Sequence, residues 1–495
     1  MSAEPGQGRR DSGAKRDPGS ASADHRRTKI VATIGPATRS VEMMAELLRA
    51  GVDVFRFNFS HGSRSDHADN FAMAREASKL VGKQAGILGD LPGPKIRLWD
   101  VEGGMIDLET GSEVTLTTEQ VLGTPERIPV SWDGLPDAVS EGGEIFMADG
   151  RIRLRVMSRN GTEVRCRVEV GGPIASHQGL NLPGARVALP AAGREDLDWV
   201  DFAVEQGVDL LAVSFVRRAE DVAPVERRVR TAGANVPVIA KIEKPEAAER
   251  AEEIVKAVDA GIMVARGDLG IELPIEQVPV VQRQLLASAG RYSRPSITAT
   301  QMLLSMVDSP RPTRAEVSDV ASAIQQGTDA VMLSEETAVG NHPIEAVRMM
   351  DRIARATEPE LRYGDWLFNR VRNDSADVAA SVARAAVGST YTLGLKALVV
   401  PTRSGRTARL VSAHRPRVPV LAVSSRIETV RRLNLLFGVR CMVAEDWEGL
   451  RALLDDCARF AREEGVASSG DLIGITAGLP GQELGTNLFE VHRVP

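Results

Sequence analysis

The stretch Val238–Glu272, VIAKIEKPEAAERAEEIVKAVDAGIMVARGDLGIE, decides the fold prediction for this chain. It opens with a short apolar run that meets the charged triplet KIE. Because side chains alternate across a strand, Lys241 and Glu243 leave such a strand on one face and the intervening isoleucine on the other. Pro245 follows where a helix would begin, a position that suits proline. The stretch therefore predicts a strand that leads into a Glu- and Ala-rich helix.

The same stretch ends on a second apolar run, GIMVA, which is again followed by charge, at Arg266 and Asp268. Charges at the carboxyl end of a buried strand are costly unless they bind something. The arrangement suits a divalent metal held by Glu243 and Asp268. Lys241 and Arg266 would lie beside it. A plain network of ion pairs is the alternative interpretation, but the repetition on two consecutive strands favours a site.

Length and composition predict a multidomain chain without a strongly charged surface. The 495 residues suggest about three domains. Lysine and arginine number 61 against 67 aspartate and glutamate, which argues against nucleic acid as a partner. No apolar run reaches the length of a membrane span, and residues 1–24 have the composition of a disordered tail, not of a secretory signal. The three cysteines, Cys166, Cys441 and Cys457, fit a soluble protein of the reducing cytoplasm.

Strand and helix patterns alternate along most of the chain. Three strand-like runs precede Pro92-Gly93-Pro94 and five more follow a break: KIVATIG, VDVFRFNFSHG, AGILGDLPGP, DLLAVSFV, VPVIAKIE, AGIMVARG, RPSITATQM and DAVMLSEE. Eight βα units that close on themselves form a TIM barrel, expected over residues 25–98 and 188–355, with its chemistry at the carboxyl ends of the strands. Polar residues fall at those ends: Asn58, Ser60, Asp90, Ser214, Lys241, Glu243, Arg266, Asp268, Thr300, Gln301, Ser334 and Glu336.

Two other regions interrupt or follow this alternation. Residues 99–187 contain short strands and hairpin signals, such as the alternating run IRLRV at 152–156 and the turn Asn160-Gly161. We expect a small inserted β-barrel domain that serves as a lid. In residues 356–495, the runs ALVVP, VPVLAVS, RCMVA and DLIGITAG predict a separate open α/β domain with a mostly parallel sheet.

The chain resembles the pyruvate kinase family over nearly its whole length, from Arg26 to Val494. The resemblance lies in the strings TKIVATIGPAT, FRFNFSHG, DLPGPKIR, GLNLPGARVALPA, KIE, GIMVARGDLGIE, TATQMLLSM, PRPTRAEVSDVA, MLSEETAVG, TRSGRTARLVSAHRP and GLPGQELGTNLFEVHRV. So many strings in one order, across three domains, argue against a chance match. The resemblance implies phosphoryl transfer from phosphoenolpyruvate to ADP, giving pyruvate and ATP, the last step of glycolysis.

The resemblance also implies roles for the residues at the strand ends. Glu243 and Asp268 match the protein ligands of the catalytic Mg²⁺ or Mn²⁺, in a site with room for substrate and water. Lys241 matches the lysine that neutralises charge on the transferring phosphoryl group, and Arg56 would add a planar guanidinium to the same phosphate. Gly267 and Asp268 open a short helix whose N–H groups would hold the substrate carboxylate.

Further positions match the family's binding residues. Thr300 matches the threonine beside the substrate carboxylate, where the enolate is protonated. The residues that match positions near the nucleotide are Asn58, His61 and Arg97.

One departure from the family pattern concerns K⁺. Many members hold K⁺ with residues that match Asn58, Ser60 and Asp90, and they carry a glutamate where this chain has Lys95. Members with lysine there are generally K⁺-independent, because one fixed cation replaces another. We therefore expect activity that needs Mg²⁺ but not K⁺.

In the last domain, hydroxyls, a glycine and a predicted helix start come together in the run Thr402, Arg403, Ser404, Gly405, Arg406 and Thr407. Such a loop suits a phosphate group, and in relatives it holds the phosphate of an allosteric effector. The resemblance thus implies a sugar phosphate or AMP as effector, without deciding between them. It also implies a homotetramer.

Two other functions stay open. A metal-dependent aldolase or lyase that acts on pyruvate enolate also presents carboxylates at a barrel rim, but it has no use for a lid over a second substrate. A non-catalytic regulator with this fold would have lost Lys241, Glu243 or Asp268, and all three are present. ADP-dependent formation of pyruvate separates these functions from the leading one.

Overall fold

The computed structural model describes residues 25–148, 150–185, 189–371, 377–445, 447, 449–478 and 485–495. The tail predicted for residues 1–24 and the domain boundary predicted at 187–188 lie outside these residues. The chain forms a closed eight-stranded barrel, an inserted β domain and a C-terminal α/β domain, so the predicted fold class is confirmed. Among the described residues, no helix is both long and apolar enough to cross a lipid bilayer.

Eight parallel strands close the barrel, and each pairs with the next along the chain until the last pairs with the first. Numbered in chain order, they are β1 (Lys29–Thr33), β2 (Val54–Asn58), β3 (Gly86–Asp90), β4 (Leu210–Val216), β5 (Val238–Ile242), β6 (Ile262–Ala265), β7 (Ser296–Ala299) and β8 (Ala330–Leu333). Strands of a parallel barrel are buried on both faces, which explains why all eight are short apolar runs in the sequence.

Helices cover the outside of the barrel: Val41–Ala50, Arg64–Val81, Arg194–Glu205, Ala223–Thr231, Pro245–Glu249, Ala251–Ala257, Val278–Arg291, Arg314–Gln325 and Pro343–Thr357, with the short helices Arg266–Glu272 after β6 and Glu335–Ala338 after β8. The sequence determines where the first helix begins and ends, because Ser40 caps its start and Gly51, with φ of 125°, ends it. The helix predicted after β5 does begin at Pro245 but is interrupted at Arg250.

The inserted domain, called the lid below, has its own apolar core. Its seven-stranded sheet has the order Ile96–Arg97, Gly179–Asn181, Glu144–Met147, Ile152–Asn160, Glu163–Val170, Glu113–Thr117 and Arg127–Pro129, beside the pair Met105–Leu108 and Gly172–Ala175. A bridge between Leu98 and Val130 joins the two edge strands, so the sheet closes on itself. The predicted start of this domain at residue 99 falls inside the lid sheet, because its first strand begins at Ile96.

The C-terminal domain is a five-stranded sheet with helices on it. The strand order is Val439–Val443, Val420–Ser424, Leu398–Pro401, Leu472–Ala477 and Leu488–Arg493, and the helices include Tyr363–Asn369, Val378–Thr392, Arg406–Ala413, Ile427–Leu433 and Leu450–Glu463. Four strands are parallel, as predicted, and the last is antiparallel. The sequence pattern did not reveal this last strand, because most of its residues are only partly buried.

The C-terminal domain packs on the amino-terminal rim of the barrel. Arg415 Nη1 lies 2.6 Å from Asp329 Oδ1, just before β8, and Lys29 Nζ donates a 2.6 Å hydrogen bond to the carbonyl of Val439. The lid, in contrast, leaves the barrel from the carboxyl end of β3. The carboxyl-terminal rim is therefore the one that faces the lid.

Candidate active site

Lys241 lies among carboxylates at the carboxyl end of β5. Its Nζ is 2.8 Å from Glu243 Oε1 and 3.1 Å from Asp90 Oδ1, at the end of β3. It also donates a 2.7 Å hydrogen bond to Ser214 Oγ on β4. Burial alone would lower the pKa of Lys241, but the carboxylates of Asp90 and Glu243 outweigh it, and the pKa is raised. Lys241 therefore stays a charged ammonium at neutral pH.

Arg56, on β2, joins this group through Asp90. Its Nε is 2.7 Å from Asp90 Oδ2, and its Nη1 donates a 3.0 Å hydrogen bond to Thr33 Oγ1. Burial would raise the pKa of Asp90, but Lys241 and Arg56 outweigh it and lower the pKa. Although Lys241 is at ion-pair distance, Asp90 Oδ1 receives no hydrogen bond of regular geometry from the described residues. This buried oxygen keeps acceptor capacity for a further cation or donor.

Glu243 and Asp268 are the carboxylates predicted to hold a metal. Glu243 is 1% exposed, and its Oε2 accepts a 2.7 Å hydrogen bond from the Phe215 N–H. Burial raises the pKa of Glu243; Lys241 opposes this rise and the nearby Asp268 adds to it. Two carboxylates that repel each other fit a hard divalent cation, which would relieve the repulsion.

The protein would supply only part of the ligand shell of such an ion. Within the described ranges, His, Cys, Asp and Glu side chains nowhere form a group of three or more that could hold a metal. A site with two protein carboxylates suits Mg²⁺, which usually keeps several waters and binds substrate phosphate as well.

Arg266 has a different position from the predicted one. The chain enters the helix Arg266–Glu272 directly after β6, so the side-chain period changes from two to 3.6 and Arg266 no longer shares a face with Asp268. Its Nη1 lies 2.6 Å from Asp319 Oδ2, and its Nη2 donates a 2.8 Å hydrogen bond to the carbonyl of Thr300. The expectation that Arg266 accompanies the metal ligands is corrected: it fixes the backbone at Thr300.

Thr300 and Gly267 lie side by side, as the sequence predicts for two substrate-binding residues. The Gly267 N–H donates a 2.6 Å hydrogen bond to Thr300 Oγ1, which itself donates to the carbonyl of Ala299. Thr300 has φ of 68°, a left-handed conformation that is strained for a β-branched residue. Strained backbone of this kind is found mainly at functional sites, where the surrounding contacts hold it in place.

The predicted nucleotide residues divide between the barrel and the lid. Asn58, at the end of β2, accepts a 3.2 Å hydrogen bond from the Ser60 N–H at its Oδ1. His61 is exposed in the loop that follows, and its carbonyl lies 2.8 Å from His67 Nε2. Arg97 belongs to the first lid strand, where its Nη1 donates a 3.1 Å hydrogen bond to the carbonyl of His177.

Lys95 stands on the connection from β3 to the lid. A Cβ built on Gly179 would lie 2.2 Å from Lys95 Cε, so the lysine stem packs directly on the lid strand. Lys95 also lines a cavity of about 430 Å³ between lid and barrel, together with Phe215 and Lys244. The structure thus places Lys95 where the chain enters the lid. Asp90 forms its ion pairs with Arg56 and Lys241.

The predicted effector loop follows the strand Leu398–Pro401 of the C-terminal domain. Thr402 Oγ1 accepts a 3.0 Å hydrogen bond from the Gly405 N–H, and Ser404 Oγ accepts one of 3.4 Å from the Arg406 N–H. Gly405 has φ of 85° and begins the helix, and Arg406 Nη2 lies 2.5 Å from Asp377 Oδ2. The loop is a tight turn of hydroxyl and glycine residues, as the sequence predicts.

Ser214 and Phe215 are hydrogen-bonded to Lys241 and Glu243, and neither of them was assigned a role from the sequence. β4 bulges here, because its register with β5 shifts between Val213 and Val216 and Phe215 has φ of 55°. The bulge turns the Ser214 hydroxyl toward Lys241 and the Phe215 N–H toward Glu243, the residue directly after β5. Ser214 could be recognised only as one polar strand end among many, and a bulge leaves no signal in an apolar run.

Comparisons with known proteins agree with this architecture. Residues 25–347 match the family model described as pyruvate kinase, barrel domain, and residues 380–492 match pyruvate kinase, alpha/beta domain. The pyruvate kinase of Geobacillus stearothermophilus is 43% identical over 473 residues, and that of Bacillus licheniformis is 41% identical over 472; each match covers 95% of this chain and 80% of the relative. The crystal structure of a pyruvate kinase from Cryptosporidium parvum has a TM-score of 0.90 and 34% identity, and covers 96% of this chain and 97% of its own.

The barrel, the lid and the charged carboxyl-terminal rim define the class of protein as a phosphotransferase on a TIM-barrel scaffold. Two family models and relatives above 40% identity carry this further: the chain belongs to the pyruvate kinase family. It is an enzyme of glycolysis, and its reaction moves the phosphoryl group of phosphoenolpyruvate to ADP, giving pyruvate and ATP. The family generally needs a divalent metal, which the carboxylates of Glu243 and Asp268 fit.

Proposed function

We propose that the chain carries out this phosphoryl transfer at the carboxyl-terminal rim, with Lys241 and Arg56 on the phosphoryl group and Glu243 and Asp268 as ligands of Mg²⁺ or Mn²⁺. The observation that carries the proposal is the buried ammonium of Lys241, 2.8 Å from Glu243 and with a raised pKa. Phosphoryl transfer depends mainly on positioning and charge stabilisation, so a fixed cation beside metal-binding carboxylates is the device that the reaction needs.

A divalent ion at the two carboxylates would supply Lewis-acid neutralisation of the phosphate and enolate oxygens. The Lys241 ammonium is held at the rim by Ser214 Oγ at 2.7 Å, Glu243 Oε1 at 2.8 Å and Asp90 Oδ1 at 3.1 Å, where its charge would face a phosphoryl oxygen. Arg56, held by Asp90, would fix a second oxygen. The phosphoryl group leaves the enol oxygen for the terminal phosphate of ADP, and the enolate takes a proton at its methylene carbon near Thr300.

A coupled assay of pyruvate formation by the full chain tests the proposal. We expect pyruvate from phosphoenolpyruvate in the presence of Mg²⁺ only when ADP is added, with one ATP formed for each pyruvate. Pyruvate release without ADP, or cleavage of a larger keto acid, would contradict it and favour the aldolase or lyase.

We propose further that Lys95 makes K⁺ unnecessary. Two observations support this: Lys95 lines the cavity between lid and barrel, and Asp90 Oδ1 keeps acceptor capacity at the same rim. Activity with Mg²⁺ in buffer free of K⁺ and Na⁺ should lie within about twofold of its maximum. The variant Lys95→Glu, which carries the glutamate of K⁺-dependent members, should gain a requirement for K⁺. Tens-fold activation of the unchanged chain by K⁺ would contradict the proposal.

We extend this proposal to the allosteric effector, the oligomeric state and the cellular location. The loop Thr402–Thr407 would bind the phosphate of a sugar phosphate or of AMP, since it places backbone N–H groups and hydroxyls at a helix start. The homotetramer rests on the family resemblance. The three free cysteines agree with a reducing cytoplasm. A screen of sugar phosphates and AMP for a change in KM for phosphoenolpyruvate, together with light scattering for the mass, tests the first two points.

A further inference from the structure

The bulge at Ser214 and Phe215 touches both central charges of the rim. Ser214 Oγ accepts a 2.7 Å hydrogen bond from Lys241 Nζ, and the Phe215 N–H donates one of 2.7 Å to Glu243 Oε2. Lys241 and Glu243 are nearly buried, at 9% and 1% exposure. Because both side chains are nearly enclosed and both are hydrogen-bonded to the bulge, a shift of the bulge would move both charges.

The bulge also packs against the first connection between barrel and lid. Ser214 Oγ donates a 2.7 Å hydrogen bond to the carbonyl of Leu91, the residue after β3. Gly93 has φ of 70°, and a Cβ built on it would lie 2.8 Å from both Ser214 Cβ and Phe215 Cδ2. Only a glycine backbone can approach so closely. The path of this connection is thus in direct contact with the residues that hold the catalytic charges.

Asp196 fastens this connection to the second one. Its Oδ1 accepts a 2.8 Å hydrogen bond from the Gly93 N–H, and its Oδ2 accepts one of 2.8 Å from the Gly193 N–H, where the chain has returned from the lid. Asp196 is only 4% exposed. Hydrogen bonds from backbone N–H groups to a buried carboxylate are short and strong. One side chain therefore joins both ends of the lid to the barrel.

We infer that Asp196 is a positioning residue for phosphoryl transfer, which holds Gly93 against the Ser214–Phe215 bulge and so fixes Lys241 and Glu243 where the reaction needs them. Asp196 is not a catalytic residue, since its described partners are backbone amides. The inference rests on the proposed roles of Lys241 and Glu243. It predicts that motion of the lid connections reaches the reacting atoms through short, contiguous contacts.

The substitution Asp196→Asn tests the inference, because asparagine can accept from Gly93 but not also from Gly193. We expect kcat to fall about tenfold, with KM for phosphoenolpyruvate and ADP within about twofold. The matched control is Glu195→Gln, which removes the same charge from the same helical turn at an exposed residue and should leave kcat unchanged. A rise in KM with unchanged kcat for Asp196→Asn would overturn the inference.

A double-mutant cycle with Ser214→Ala separates positioning from general destabilisation. If Asp196 acts through the bulge, each single variant loses about tenfold in kcat and the double variant loses little more. A loss near a hundredfold in the double variant would mean independent effects and contradict the inference. Should Asp196→Asn fail to fold by circular dichroism, Ser214→Ala alone decides, since unchanged kcat there also contradicts it.

Hydrogen–deuterium exchange gives a readout that does not depend on activity. We expect faster amide exchange in peptides that contain Gly93 and Phe215 for Asp196→Asn, but not for Glu195→Gln. If the unsubstituted protein forms no pyruvate from phosphoenolpyruvate and ADP, the proposed function is wrong. If it is active and Asp196→Asn keeps full kcat and normal exchange, only the inference about Asp196 is wrong.

Discussion

Both rims of the barrel bury carboxylates, but they satisfy them differently. At the amino-terminal rim, an aspartate stands directly before each of β2, β4 and β8 and accepts a hydrogen bond from a backbone N–H of the preceding strand. Each of these aspartates also pairs with an arginine: Asp53 with Arg26, Asp209 with Arg75 and Asp329 with Arg415. Charge at this rim is neutralised by the protein itself, and it joins strands to one another and to the C-terminal domain.

At the carboxyl-terminal rim, Asp90 is paired with Arg56 and Lys241, but the carboxylates keep acceptor capacity. Asp90 Oδ1 is buried without a regular hydrogen bond from the described residues, and burial together with Asp268 raises the pKa of Glu243. Buried carboxylates alone therefore do not identify a site, because the amino-terminal rim has them as well. Unsatisfied acceptors and mutual repulsion do, since they are what a metal ion and a substrate would relieve.

The largest expected effect comes from exchanging one buried lysine at each rim. Lys241→Met should lower kcat about a thousandfold, because the phosphoryl group loses a preorganised cation. Lys29→Met removes an equally buried lysine that donates to the carbonyl of Val439 and should leave kcat within about twofold. Steady-state assays of both variants, with circular dichroism to establish the fold, check the difference. If Lys241→Met transfers the phosphoryl group at an unimpaired rate, the proposed difference between the two rims is wrong.

A second, smaller effect concerns stability at the amino-terminal rim. Asp329→Asn leaves the fully buried Arg415 without its ion-pair partner, which should destabilise the protein by about 3–5 kcal/mol and lower the thermal midpoint. Its kcat should not change. The control is Asp201→Asn, which breaks an exposed pair with Arg228 and should leave the thermal midpoint nearly unchanged. Equal thermal midpoints for the two variants would show that burial does not determine how much these ion pairs stabilise the protein.

Much of the fold and part of the site could be predicted from the sequence. Parallel strands buried on both faces give continuous apolar runs, so all eight barrel strands were recognisable. Residues at the carboxyl ends of those runs lie at one rim, which brought Asp90, Ser214, Lys241 and Glu243 together in the prediction as they are in the structure. Arg56 was placed there only by the family resemblance. This reasoning needs only the strand ends and the closure of the barrel.

The remaining features depend on contacts that a local pattern does not contain. Arg266 was placed on a strand face, but a helix begins at that residue and turns it toward Asp319. Glu336 was counted among the polar strand ends, yet it is fully buried and accepts from the N–H groups of Leu303 and Ser334, a structural role. The sequence cannot show which polar residue already has its partners, because those partners are distant along the chain.

The same limit applies to the amino-terminal rim. A glycine two residues before an aspartate precedes β2, β4 and β8, at Gly51, Gly207 and Gly327, each with positive φ. This repeated signal is visible in the sequence, but its meaning depends on arginines far along the chain, such as Arg415, which is 86 residues from Asp329. Without them, the aspartates cannot be distinguished from site residues.

Binding of Mn²⁺, followed by electron paramagnetic resonance, tests the contrast between the rims most directly. The comparison uses the unchanged chain, Glu243→Gln and Asp329→Asn, each without substrate. If only the carboxyl-terminal rim holds the metal, Glu243→Gln weakens Mn²⁺ binding at least about tenfold, a loss of about 1.4 kcal/mol, while Asp329→Asn binds as the unchanged chain does. Equal Mn²⁺ affinity of Glu243→Gln and the unchanged chain would contradict the account.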